Sequence, residues 1–98
     1  MFVAWARYEL HLPDARSLKD KRAVVRSLLD GLHAKMRIAT AEVDHLDLHQ
    51  RAALGVSIVS NESGHARGLL DQVSRRIETA PGCELLSMRS GLVGEDDE

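Results

Sequence analysis

The sequence predicts an α+β fold in which two helices cover one face of a four-stranded antiparallel sheet. Residues 2–12 alternate with period two, which is typical of a strand with one buried face. Two later segments space their apolar residues as helices do. The resulting order, β-α-β-β-α-β, is that of the ferredoxin-like plait, whose usual strand order is 4-1-3-2.

The first strand and helix are marked by their ends. Pro13 ends the strand because proline cannot donate to a ladder. Ser17 is a good N-cap, and Asp20 stands where the acid of a capping box would be. We expect the helix to reach about Met36, with an apolar stripe made of Leu18, Val25, Leu28, Leu29, Leu32 and Met36.

The second half repeats this plan. Strands are predicted at 37–43 and 51–60, separated by a polar loop at 44–49. Asn61 is the predicted N-cap of a helix that ends near Thr79. A last strand falls within 83–93, at an edge and shorter than that span. Residues 1–93 therefore form a single ferredoxin-like domain, and 94–98 form an acidic tail expected to be disordered.

Composition narrows the class of protein. The 98 residues suffice for one core, and the single cysteine, Cys83, leaves no disulfide within the chain, which favours the cytoplasm. No signal peptide and no membrane-spanning stretch are predicted, so no membrane partner is expected. No phosphate-binding glycine loop or dinucleotide fingerprint is present, so we expect no cofactor.

Positive charge is concentrated around the first helix. Between Ala15 and Arg37 there are seven bases and two acids, against six bases and thirteen acids elsewhere. Such a region can select an anionic partner, which favours contact with an RNA backbone. The alternative is a solvated face neutralised by Asp20 and Asp30. The predicted nucleic-acid-binding residues are Arg16, Lys19, Lys21, Arg22, Arg26 and Arg51.

A plait leaves one sheet face uncovered. RNA-recognition plaits stack bases there on aromatic side chains of the central strands. Here the first strand offers Trp5, but the third strand has no aromatic residue, so base stacking of that kind is rejected. An apolar patch on this face would instead be covered by a second subunit. The predicted dimer interface is Val3, Trp5, Ala53 and Val59, and the alternative is a surface tryptophan shielded by the last strand.

Two further arrangements of residues suggest chemistry. Asp44, His45, Asp47 and His49 could hold a divalent ion in the loop, although a hydrogen-bonded loop explains the same spacing. Ser17, Ser57 and Cys83 would be nucleophiles only with a histidine close in space. Neither pattern assigns a metal site or a catalytic residue.

The block His11-Leu-Pro-Asp-Ala-Arg-Ser-Leu-Lys-Asp-Lys-Arg22, with Ala41-Glu-Val43 and Gln50-Arg-Ala-Ala-Leu54, resembles the bacterial YlxP-like family, domain of unknown function 503. The resemblance covers residues 2–93 and implies a ferredoxin-like plait. Genes of that family often sit among translation and ribosome-maturation genes. The resemblance supplies no activity, and by this association it implies an accessory role in ribosome assembly or RNA binding. Together with the basic region, it predicts a small, non-enzymatic binding protein whose partner is ribosomal RNA or a ribosomal subunit.

Overall fold

The computed structural model describes residues 1–96, and the chain folds into six elements. In chain order they are β1 (Phe2–His11), α1 (Leu18–Lys35), β2 (Ala39–Asp44), β3 (Arg51–Ser60), α2 (Ser63–Glu78) and β4 (Glu84–Gly94). The sheet is antiparallel with the order β2-β3-β1-β4, so the predicted plait is confirmed.

The two central strands build the core with one face each. Alternate residues of β1 and β3, from Ala4 to Leu10 and from Ala52 to Ile58, are buried beneath the two helices. Val25 and Leu32 of α1 and Val73 and Ile77 of α2 meet them there. The Tyr8 hydroxyl shares a 2.7 Å hydrogen bond with Ser74 Oγ, which satisfies the polar end of this buried ring.

Two connections lie against each other at one end of the sheet. The Leu12 N–H donates to the Gln50 carbonyl at 2.9 Å, and Gln50 Nε2 donates to the Pro13 carbonyl at 3.2 Å. The turn after β2 closes when the Leu48 N–H donates to the His45 carbonyl at 3.0 Å. These bonds hold the β2–β3 loop beside the start of α1.

Four details differ from the sequence prediction. β2 spans Ala39–Asp44, where a strand at 37–43 was predicted. The N-cap of α2 is Glu62 and not Asn61, because Ser60 Oγ accepts the Glu62 N–H and delays the helix. β4 keeps eleven residues because it pairs with β1 from Phe2 to His11. Gly94 closes β4, and the Glu95 carboxylate contacts the Met1 amino group at 2.6 Å. The rest of the predicted tail, positions 97 and 98, lies outside the described residues.

Candidate nucleic-acid interface

The start of α1 is fixed by two side chains. The Asp20 N–H donates to Ser17 Oγ at 3.1 Å, which confirms the predicted N-cap. The Asp20 carboxylate accepts the Arg16 N–H at 2.9 Å, one residue before the bond that a capping box would make. These two hydrogen bonds fix the N-terminus of α1, the part of the helix that contains Lys19 and Arg22.

The basic face of α1, by which we mean Lys19, Arg22 and Arg26 of the helix together with Arg16 just before it, is exposed to solvent. Lys19, Arg22 and Arg26 are three and four residues apart, so they form one ridge about 10 Å long. Among residues 1–96, none of these four side chains has a carboxylate within 4.0 Å. Asp20 and Asp30 therefore do not neutralise this face by direct pairing.

A groove runs beside this ridge, between α1 and the edge strand β2. It has a volume of about 290 Å³, and Arg22, Arg26 and His33 line it together with Leu29. Glu42 and Asp30 also reach the groove, so its charge is mixed.

Lys21 does not belong to this surface, and its predicted role in binding nucleic acid is wrong. Its side chain is only 1% exposed, and Nζ lies 2.8 Å from the Glu42 carboxylate. Nζ also donates to the carbonyl oxygens of His45, Leu46 and Arg51 at 2.8, 3.3 and 3.3 Å. A buried ammonium needs such partners, so Lys21 joins α1 to β2 and to the β2–β3 loop.

Arg51 also lies apart from the basic face of α1. Its Nη2 donates to the Glu9 carboxylate at 3.0 Å on the open face of the sheet, the face opposite the helices. Only its backbone carbonyl approaches α1, through Lys21. The two regions therefore do not form one continuous positive surface.

Glu9 is the centre of an ionic network on the open face, made with Arg7, Asp44, His45 and Arg51. Glu9 Oε1 accepts from Arg7 Nε and Nη2 at 3.1 and 2.9 Å, and Oε2 lies 2.9 Å from His45 Nε2. Arg7 Nη2 donates also to Asp44 Oδ2 at 2.9 Å. His45 adopts φ 61°, and its N–H donates to Asp44 Oδ1 at 2.8 Å. The network joins β1, β2, β3 and their loop.

These contacts shift the titration of the two carboxylates. Partial burial raises the pKa of Glu9, but the hydrogen bonds donated by Arg7, His45 and Arg51 outweigh it, so the pKa lies below its ordinary value. For Asp44, the hydrogen bond from Arg7 and then that from the His45 N–H lower the pKa. Both groups therefore favour the ionised form in the fold.

The loop does not assemble its four candidate metal ligands. His45 points its ring nitrogen at Glu9, and Asp44 is engaged by Arg7 and the loop backbone. Within residues 1–96, no three His, Cys, Asp or Glu side chains are placed to hold a metal ion. Two of the residues that the sequence suggested as ligands, Asp44 and His45, are used here for hydrogen bonds that join the loop and β2 to β1.

Two of the three candidate nucleophiles, Ser17 and Cys83, show no activation. Ser17 Oγ is occupied by the Asp20 amide, and burial raises the pKa of the Cys83 thiol. A raised pKa lowers the thiolate fraction, on which cysteine reactivity depends.

The open face also carries apolar side chains. Val59, Val3 and Val93 form a row across β3, β1 and β4, and Trp5 follows in the next row, opposite Ser57 and Gly91. Trp5 is 40% exposed and Val59 67% exposed. A Cβ on Gly91 would lie 2.5 Å from Trp5 Nε1, so this glycine makes room for the indole.

Ala53 does not belong to the exposed patch, and that part of the predicted interface is wrong. It is fully buried although it lies on the open face. Its register partners are Glu9 on β1 and Asp44 on β2, whose side chains belong to the ionic network. The apolar patch of the open face is therefore the half-buried Val3 with the exposed Trp5, Val59 and Val93.

The fold and these surfaces define a ferredoxin-like plait with a basic helix face and an open sheet face. Its backbone is similar to a de novo designed protein with a ferredoxin fold, solved by solution NMR. The TM-score is 0.60 at 11% identity, over 98% of this chain and 88% of the designed one. Among residues 1–96, neither helix is long and apolar enough to span a membrane.

Sequence comparison then gives the family. The model of the family described as "Protein of unknown function (DUF503)" matches residues 3–90. The chain is 30% identical over 82 residues to "Uncharacterized protein YlxP" of Bacillus subtilis (strain 168), which covers 84% of this chain and 89% of that one. The chain belongs to the DUF503 family, as the resemblance read from its sequence blocks predicts.

Proposed function

We propose that this protein binds structured RNA through the basic face of α1, with ribosomal RNA as the first candidate. Arg16, Lys19, Arg22 and Arg26 make the contacts, and neither Lys21 nor Arg51 takes part. The observation that carries the proposal is the contrast between two kinds of base. Arg7, Lys21 and Arg51 are held by carboxylates, whereas the basic face is exposed without a carboxylate partner among residues 1–96.

Local charge supports an anionic partner. Without Lys21, the segment from Ala15 to Arg37 still carries six bases against two acids on a chain of net charge −2. Lys19 lies in the first turn of α1, where the helix dipole disfavours a base by roughly 0.3–1 kcal/mol. A phosphate oxygen beside this turn would offset that cost and meet the positive end of the dipole.

The mode of binding follows from what the sheet lacks. The open face presents a single aromatic side chain, Trp5, beside Ser57 and Gly91. Successive bases therefore have no stacking platform of the kind that gives RNA-recognition plaits their sequence preference. We infer that the protein recognises the phosphates of the RNA backbone and the shape of the RNA helix. The affinity should then depend strongly on salt concentration and weakly on RNA sequence.

Charge reversal at three positions tests this function. We expect Lys19→Glu, Arg22→Glu and Arg26→Glu together to weaken binding to ribosomal subunits and to a synthetic RNA hairpin by about hundredfold at low salt, because three phosphate contacts become repulsive. Fluorescence anisotropy measures the affinity. Thermal unfolding checks that the variant is folded. We expect it to be folded, because acidic residues near the start of a helix stabilise the helix.

The matched control reverses three exposed bases on the other helix, Arg67, Arg75 and Arg76, and changes the net charge by the same amount. It should lose affinity only modestly through the general field. Unchanged binding by the α1 variant, or an equal loss in both variants, contradicts the assignment of the interface to α1.

A second candidate function is self-association through the apolar patch of the open face. The rows of Val3 and Trp5 contain valine, serine, glycine and tryptophan and no charged side chain. Such a surface can meet a second copy of itself across a two-fold axis without like-charge repulsion. The exposure of Trp5 and Val59 leaves apolar area that a partner subunit would remove from water.

The dimer predicts a mass that depends on concentration. Sedimentation equilibrium should show roughly twice the chain mass at high micromolar concentration, and Trp5→Ser with Val59→Ser should return the protein to the monomer. Acrylamide should quench Trp5 fluorescence poorly in the dimer. A monomer mass at those concentrations, with freely quenched Trp5, rules out this second candidate.

A further inference from the structure

A second groove lies between α1 and the C-terminal part of α2, on the opposite side of α1 from its basic face. Its volume is about 560 Å³, within the usual range of roughly 300–1,000 Å³ for small-molecule sites. Val24, Leu28 and Leu32 of α1 line it, and the turn at Ala80–Gly82 forms the far wall. Its lining is therefore mainly apolar.

The charged side chains that line the groove have one sign. Lys35 and Arg76 reach it, and no aspartate or glutamate of residues 1–96 does. Both bases are exposed, and within residues 1–96 neither has a carboxylate within 4.0 Å. An apolar wall with two unpaired cations complements a ligand that has an apolar body and an anionic group.

Gly31 keeps the groove open. A Cβ placed on it would meet no other atom within 4 Å, so this position faces free space. Glycine inside a helix is destabilising by about 1 kcal/mol relative to alanine. On the opposite wall, the turn packs closely against α1, because a Cβ on Gly82 would lie 3.3 Å from Val24. The φ of +83° at Gly82 also favours glycine.

We propose that this α1–α2 groove binds a small amphiphilic carboxylate of the medium-chain fatty acid class. The alkyl chain lies on Val24, Leu28 and Leu32, and the carboxylate pairs with Lys35 or Arg76. The volume of about 560 Å³ suits a single small molecule. The site is separate from the basic face, so it does not depend on RNA binding.

Decanoate and decanol, used below micelle-forming concentrations, test the shape and the charge of the site. Calorimetry and amide chemical shifts of the full chain should show that decanoate binds in the groove at least about fivefold more tightly than decanol, which lacks the anion. Gly31→Leu should fill the groove and weaken decanoate binding by roughly tenfold or more. Gly31→Ala is the matched control, because it adds little volume and stabilises the helix.

Two single charge reversals locate the carboxylate. Either Lys35→Glu or Arg76→Glu should weaken decanoate binding by about fivefold or more while leaving decanol binding unchanged. Equal affinity for decanoate and decanol, retained binding in Gly31→Leu, or shifts confined to the open face around Trp5 would each overturn the proposal. Absence of decanoate binding to the unaltered protein would do the same.

Discussion

Lys21→Ala should destabilise the protein by about 3–5 kcal/mol, the range found when one partner of a buried ion pair is removed. The substitution leaves the Glu42 carboxylate without its cation and removes the ammonium group that donates to three backbone carbonyl oxygens. A domain of this size has a total stability of about 5–15 kcal/mol, so a large share of it would be lost. Urea denaturation measures the change through its midpoint.

A double variant separates the buried charge from the packing. Lys21→Met with Glu42→Leu removes both charges and keeps apolar volume, so it should recover much of the stability that Lys21→Ala loses. Arg22→Ala is the matched control on the same turn, because its side chain is exposed and has no ion-pair partner among residues 1–96. The prediction is contradicted if the free energy of unfolding of Lys21→Ala lies within about 1 kcal/mol of that of the unaltered protein.

Acid should destabilise the protein through Glu9 and Asp44. Their pKa values in the fold lie below the ordinary values of 4.5 and 3.8. Their contribution to stability is therefore fully present above the ordinary pKa values, and it is lost as the pH falls through the lowered pKa values of the folded protein. We expect Tm to fall steeply below about pH 4.5 in the unaltered protein. Glu9→Gln with Asp44→Asn should remove roughly half of that fall, because these groups then no longer titrate.

The control for acid stability is Glu62→Gln with Asp47→Asn. Both carboxylates are exposed, and the pair changes the charge by the same amount without touching the ionic network. Its Tm should follow the pH dependence of the unaltered protein, measured by calorimetry from pH 3 to pH 7. If the Glu9 and Asp44 variant follows that same curve, the network does not support the fold in the way its geometry indicates.

Much of the fold could be predicted because its signals are local. The period-two pattern of β1 and β3 and the Ser17 N-cap each lie within a few residues of the structure they specify. The limits of β3 were predicted to the residue, whereas Asn61 failed as a cap because Ser60 forms a competing side-chain turn. Local hydrogen bonding of serine decides between such alternatives.

Lys21 shows where charge counting misleads and where a sequence signal was present. It lies four residues before Val25 and eleven before Leu32, so helical spacing places it on the buried stripe. Glu42 likewise lies on the helix side of β2, opposite Leu54. A basic and an acidic residue on two apolar surfaces that face each other predict a buried ion pair. That pattern would have excluded Lys21 from the predicted nucleic-acid-binding residues.

The ionic network on the open face could not be predicted in the same way. Glu9 and Arg51 are separated by 42 positions, and their contact depends on the register of β1 against β3. His45 reaches Glu9 through a loop with a left-handed backbone at a residue that is not glycine. Such contacts follow from strand pairing and not from spacing, so Arg51 was placed with the wrong group of bases.

The salt dependence of RNA binding tests the central proposal most directly. Four phosphate contacts on the basic face of α1 predict that log K falls with log salt concentration with a slope of about −3 to −4, a loss of roughly hundredfold between 50 and 200 mM salt. Arg22→Gln and Arg26→Gln should each reduce that slope by about one unit without unfolding the protein. A slope near zero for the unaltered protein, or one that these two substitutions leave unchanged, would contradict it.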